Sequence, residues 1–294
     1  MKNRLSLAQL ALTAERLRGL DERARSDTDI QQLLAGLVDG HLSFGFTPGY
    51  QTSWIRARKL GQAELLKSIY QVIYPPNPAN RRGRANRIGS RVLYAASNKR
   101  VALDEINAEP GDRIAVITIR QRVDRQLELH LIGEIESICN RGTSLVGAKE
   151  NEEAVAKLVG EDQQDLEQSL LADSILSELF RDPRNHYKAA SLFAAHNFAG
   201  NHGLVYPSVR TQGGINIAIT ADQFDACYEV LAVEELVVNR YNGNSSYENS
   251  ILRESCDVDT DGEIRWDSSR RFPYHWSIQG GVHVAEDYAG WRRA

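Results

Sequence analysis

Four short segments carry side chains whose types and spacing could act on a charged small molecule. Trp54-Ile55-Arg56-Ala57-Arg58 reads as a strand, and alternation along a strand puts both guanidinium groups on one face. Gly83-Arg84-Ala85-Asn86-Arg87-Ile88-Gly89 is a glycine-bracketed basic loop within 81–91, a stretch that holds five arginines. Local positive charge of this kind can hold a small polyphosphate. Val92-Leu93-Tyr94-Ala95-Ala96 reads as a strand leading into a helix over 99–106, which carries the carboxylate of Glu105. Gly203-Leu204-Val205-Tyr206-Pro207-Ser208 ends on a hydroxyl and is followed by Gly213-Gly214-Ile215-Asn216. Taken singly, each has an ordinary explanation. Arg56 and Arg58 could line a salt-bridged strand, and the arginine loop could be a solvated turn. Glu105 could be an exposed helix carboxylate, and Ser208 a turn residue after proline.

Taken together and in this order, the segments resemble the RES-domain family, named for its arginine, glutamate and serine. The resemblance runs over about residues 54–236, with gaps. Its arginine element is Arg56 in Trp-Ile-Arg-Ala-Arg. Its glutamate element is Glu105 in Ala-Leu-Asp-Glu, after Gly-Arg-Ala-Asn and Val-Leu-Tyr-Ala-Ala. Its serine element is Ser208 in Gly-Leu-Val-Tyr-Pro-Ser, followed by Asn216 in Ile-Asn-Ile-Ala. The chain departs from shorter members at Ala85, where they carry an aromatic residue. The resemblance implies an α+β fold similar to ADP-ribosyltransferase toxins, with a split β core and a cleft for NAD. It also implies a bacterial toxin or defence effector that destroys NAD as a glycohydrolase or phosphorylase, paired with an antitoxin protein that blocks the cleft. Two other readings stay open: a mono-ADP-ribosyltransferase that modifies a cellular protein, and a non-catalytic interaction module that keeps the fold.

Under that resemblance NAD is the substrate and no metal is expected. The bond to be broken joins ribose C1′ to the positively charged nicotinamide nitrogen, so the leaving group departs neutral and needs no acid. The transition state is a ribosyl oxocarbenium ion, as in other glycosidic cleavages. Glu105 is then the carboxylate that stabilises it. Arg56, with Arg84 second and Arg58 in support, clamps the diphosphate, because a planar fork binds phosphate in a bidentate way. Tyr94 stacks on the nicotinamide ring, while Ser208 and Asn216 hydrogen-bond the ribose or the nicotinamide amide.

Periodicity predicts the elements that must position these residues. Residues 1–50 read as a helical segment, 51–240 as a catalytic domain of mixed α and β, and 241–294 as a β-rich extension packed on it. Ser6-Leu7-Ala8-Gln9 is a capping box, and a second helix is expected to start at Thr28 and stop at Gly40. Strands are expected at 91–95, 114–119, 127–135, 204–206, 215–219 and 230–238, with further helices at 165–180 and 187–199. The tail is turn-rich but holds three of the four tryptophans, which argues for order.

The formal charge of −4 argues against direct nucleic-acid binding. Three isolated cysteines, Cys139, Cys227 and Cys256, point to free thiols in a reducing compartment, hence the cytoplasm. No apolar run approaches the length of a membrane span. The histidines form no zinc-hydrolase pattern, and Gly213-Gly214 lacks the spacing of a dinucleotide fingerprint. Asp257-Val258-Asp259-Thr260-Asp261-Gly262 looks like the start of a calcium loop, yet Ser268 stands where the closing glutamate belongs. A tight turn between two strands is expected there instead. The longer termini suggest self-association or a partner surface.

Overall fold

Local hydrogen bonding opens the chain as its sequence predicts. The Ser6 hydroxyl accepts the Gln9 N–H, and the Gln9 side chain accepts the Ser6 N–H at 2.9 Å, a capping box that starts α1 (Leu7–Arg18). The computed structural model describes residues 5–21, 24–38, 41–74, 79–181 and 187–266, and the backbone alone of 274–279 and 282–287. The second helix, α2 (Asp27–Val38), starts ahead of the predicted Thr28, because the Ser26 hydroxyl takes the Asp29 N–H at 3.1 Å and is the better-placed cap. The predicted stop at Gly40 lies outside the described residues.

There follow β1 (Phe44–Phe46), β2 (Thr52–Lys59), α3 (Tyr70–Ile73), β3 (Val92–Ala96), α4 (Lys99–Glu105), β4 (Arg113–Gln121) and β5 (Leu129–Leu131). A helical stretch comprises α5 (Glu134–Arg141), α6 (Lys149–Glu161), α7 (Gln163–Arg181) and α8 (Tyr187–Asn197). The chain continues through β6 (Gly203–Pro207), β7 (Ile215–Thr220), α9 (Ala221–Cys227), β8 (Tyr228–Tyr241), β9 (Tyr247–Ser255), β10 (Tyr274–Gln279) and β11 (Val282–Asp287). The class is α+β, with helices at the N-terminus and strands at the C-terminus, as expected.

One expected strand is wrong in extent. The apolar run 127–135 pairs as a strand only over Leu129–Leu131 and then turns into α5. Gly133 makes the turn at φ 81, a conformation open to glycine. The carboxylate of Asp173 on α7 caps the new helix, accepting the Gly133 and Glu136 N–H groups at 2.7 and 3.0 Å. No reading of the run itself could supply that distant cap.

Two compact units form, each drawn from separate stretches of chain: 1–47, 78–90 and 128–209, and 48–77, 91–127 and 210–294. In the first, α1 and α5 pack on α7 and α2 packs on α8, beside a small sheet in which β1 is antiparallel and β6 parallel to β5. In the second, the strands run β7-β3-β2-β4-β8-β9 with every neighbour antiparallel. The β10–β11 hairpin joins this sheet through β11 and β2.

The second sheet parts where β2 meets β3. Those strands pair at Ile55↔Ala96 alone, whereas β2 and β4 pair along their length. On one face, Val101 and Leu103 of α4 are buried with Ile55, Ala57, Ile114, Val116, Leu236 and Val238. Burying each of these Val, Leu and Ile side chains contributes about 1.5–3 kcal/mol, which fixes α4 to the sheet.

In the tail, the Asp257–Gly262 stretch is the turn expected. Val258 and Ile264 bridge across it, and the Asp259 carboxylate accepts the Asp261 and Glu263 N–H groups at 3.0 and 2.9 Å. Gly262 sits at φ 76 with its α-carbon against Tyr70, where an added Cβ would lie 2.4 Å from the ring. Gly262→Ala is therefore expected to cost about 1–3 kcal/mol of stability, measurable as a lower urea midpoint.

Candidate active site

Glu105 is set by a strand, a cap and a helix stop. β3 ends at Ala96, and the Asn98 side chain accepts the Val101 N–H at 3.0 Å to start α4. The helix closes at Asn107, in the left-handed region at φ 49, with Ala108 N–H bonded back to the Leu103 carbonyl at 3.0 Å. Glu105 lies in the last turn, where a carboxylate meets the negative pole of the helix dipole. Such a placement runs against local preference, as functional groups often do.

The half-buried Glu105 is met by a buried amide. Asn216 on β7 stands opposite Ala96, and its Nδ2 donates to Glu105 Oε1 at 2.7 Å. The donor must be the amide nitrogen, since an ionised carboxylate only accepts. Tyr94 stands opposite Ala218, so Tyr94 and Asn216 project from the same face of the β3–β7 pair. The structure thus brings Tyr94, Glu105 and Asn216 to one side.

Arg56 and Arg58 do share a face of β2, as alternation predicts, because the intervening Ala57 turns into the core. Their partners differ. Arg56 spans the parting between β2 and β3: Nε donates to the Val72 carbonyl at 2.5 Å and Nη1 to the Tyr94 carbonyl at 2.9 Å. Nη2 has no hydrogen-bond partner among the described residues. Burial pulls the Arg56 pKa down to about 10; nearby Tyr94 opposes this and Arg58 adds to it. The group remains cationic at neutral pH. Arg58 instead forms a two-point ion pair with Glu64, at 2.6 and 3.3 Å.

Arg84 and Ser208 belong to the other unit. The loop carrying Arg84 is tied by Gly83 N–H to the Asn86 carbonyl (3.1 Å) and by the Asn86 amide to the Arg81 carbonyl (3.0 Å). Flanking Arg82 and Arg87 both reach Asp27 at the start of α2, at 3.5 and 3.4 Å. Ser208 follows directly on β6.

Two residues that sequence reasoning passed over also touch α4. Buried Asp104 accepts the Tyr247 hydroxyl at 2.6 Å and also the Thr211 hydroxyl. Nothing in the local pattern announces Tyr247, which lies 143 residues further along the chain. Among the described residues, no group of three or more His, Cys, Asp or Glu is placed to hold a metal ion, and no helix is long and apolar enough to cross a membrane.

The family model for the RES domain matches residues 63–239. Arg84, Tyr94, Glu105, Ser208 and Asn216 fall inside the match, while Arg56 and Arg58 precede it. No curated protein matches the sequence. Because the match takes in more than half of the chain, including the strand, helix and β7 segment that join Glu105 to Asn216, the chain belongs to the RES domain family.

Proposed function

We propose that this RES domain, a member of a family of NAD-acting enzymes, cleaves NAD between ribose and nicotinamide as a glycohydrolase or phosphorylase. The observation that carries the reading is the Glu105 carboxylate held by Asn216 at 2.7 Å, on the side of the sheet that also presents Tyr94. The C1′–N bond breaks with its electron pair passing to the nicotinamide nitrogen, which becomes neutral. Positive charge moves to the ribose, where Glu105 opposes it. An oxygen of water or phosphate then bonds to C1′, and in hydrolysis the spare proton goes to solvent.

Arg56 supplies a cation already anchored through two of its nitrogens, with Nη2 left to meet a phosphate oxygen. Tyr94 stacks on the nicotinamide, and Arg84 and Ser208 keep the roles that the family motif implies for them, phosphate binding and a hydrogen bond to the ribose or the nicotinamide amide. Those roles rest on the family motif, as does Arg58, whose pair with Glu64 makes it a support for β2. The division into an N-terminal segment (1–50), a catalytic domain (51–240) and an extension (241–294) belongs to the same reading. So do a toxin or defence role in the cytoplasm and an antitoxin partner.

Purified protein mixed with NAD should yield free nicotinamide, followed by chromatography; none at all would sink the reading. Label from the ADP-ribose half retained on protein would redirect it to ADP-ribosyl transfer. Arg56→Lys is expected to raise the KM for NAD by roughly tenfold, because a single nitrogen cannot span the separate positions from which Nε and Nη1 reach the two carbonyls and still face a phosphate.

A further inference from the structure

The end of α4 is held by more than its own backbone. A helix leaves its last carbonyls without intrahelical partners, so a last turn frays unless something grips it. Here the grip comes from two later segments. One Asp104 carboxylate oxygen accepts the hydroxyl of Tyr247 on β9, at 2.6 Å, and the other accepts the hydroxyl of Thr211. Arg210 donates to the side chain of Asn107 just past the helix. Gly214 lets the 211–214 segment close on α4, since a Cβ there would lie 2.8 Å from Val101 Cγ2. Two residues on is Asn216, the partner of Glu105.

The chemistry of this arrangement is one-directional. An ionised carboxylate with little exposure is costly unless each oxygen finds a donor, and the two hydroxyls are those donors. Asp104 and Glu105 are consecutive, so any turn of the helix end that moves one moves the other. Tyr247 also lies beyond residue 239, the end of the family match, so part of the grip comes from outside the RES domain.

We propose that Asp104, Thr211 and Tyr247 act as positioning residues, a brace that fixes the Glu105 carboxylate against Asn216 and makes the C-terminal extension a determinant of turnover. The proposal rests on the reading of Glu105 given above. In Tyr247→Phe the ring still packs against the core beneath α4, while Asp104 loses a donor. Its kcat for nicotinamide release should fall roughly tenfold with KM nearly unchanged, the signature of a misplaced group rather than a lost binding contact. Backbone amides at 104–107 should exchange with deuterium faster, with the thermal midpoint close to wild type. Asp104→Asn, whose amide can donate to Tyr247 and whose carbonyl can accept from Thr211, should keep its turnover, and Asp104→Ala should not. Wild-type turnover in Tyr247→Phe overturns the brace and leaves NAD cleavage standing. If the wild type releases no nicotinamide, NAD cleavage falls, and unchanged exchange at 104–107 in Tyr247→Phe then overturns the brace by itself.

Discussion

Glu105→Gln is expected to fold as the wild type does and to release nicotinamide about 10²–10³-fold more slowly. The glutamine carbonyl can still accept the Asn216 N–H that the carboxylate now accepts at 2.7 Å, so shape is kept and charge alone is removed. In bound NAD the positive charge sits on the nicotinamide ring; in the transition state it has passed to the ribose. A fixed carboxylate beside the ribose is therefore worth more in the transition state than in the ground state. The loss should fall on kcat and leave KM close to its original value. Initial rates over a range of NAD concentrations separate the two, and an undiminished kcat in folded Glu105→Gln protein would take Glu105 out of the chemistry.

The second large effect concerns stability. Glu235 on β8 is only 3% exposed, between Arg113 of β4 and Arg253 of β9. It accepts Arg113 Nε at 3.2 Å and Arg253 Nε at 2.8 Å, and is also bonded to Arg113 Nη2. Arg113 donates in turn to the Gln62 carbonyl at 2.8 Å, and the Arg253 guanidinium lies 4.0 Å over the Trp266 ring. Removing one member of a buried ion network leaves the others uncompensated, so Glu235→Gln should cost about 3 kcal/mol at neutral pH. The lower end of the usual range applies because both arginines keep some contact with water.

The pH dependence of that cost has a definite sign. Burial pushes the Glu235 carboxyl up, and the hydrogen bonds from Arg113 and Arg253 outweigh it, holding the group below its ordinary 4.5. A carboxyl with a depressed native pKa contributes stability that is present above the unfolded value and lost as pH falls through the native one. The gap in urea midpoint between wild type and Glu235→Gln should be widest at pH 7 and shrink below about pH 4.5. A gap that widened in acid would contradict the account.

Much of this architecture is legible in the sequence. The capping box at Ser6, α4, α7 and α8, and the strands that became β3, β4, β6, β7 and β8 all follow from apolar periodicity and caps within a few residues. The largest error arose where a distant group intervened. Leu127–Ile135 has the composition of a strand, but Asp173, 40 residues away, supplies the cap that turns its second half into a helix. At the candidate site, Arg56 and Arg58 are indistinguishable by alternation. Glu64 separates them by taking Arg58 into an ion pair and leaving Arg56 to bridge β2 and β3.

The order of the arginine, glutamate and serine segments, the helix that carries Glu105 and the strand that carries Asn216 were determined by sequence alone, because helix and strand periods and caps act over a turn or a pleat. Which side chain answers Glu105 was decided only in the folded chain. The Glu105–Asn216 contact spans 111 residues and the Asp104–Tyr247 contact 143, and both depend on the register of strands brought together from far along the chain. A one-residue slip of β7 against β3 would turn Asn216 to the opposite face and break its hydrogen bond to Glu105.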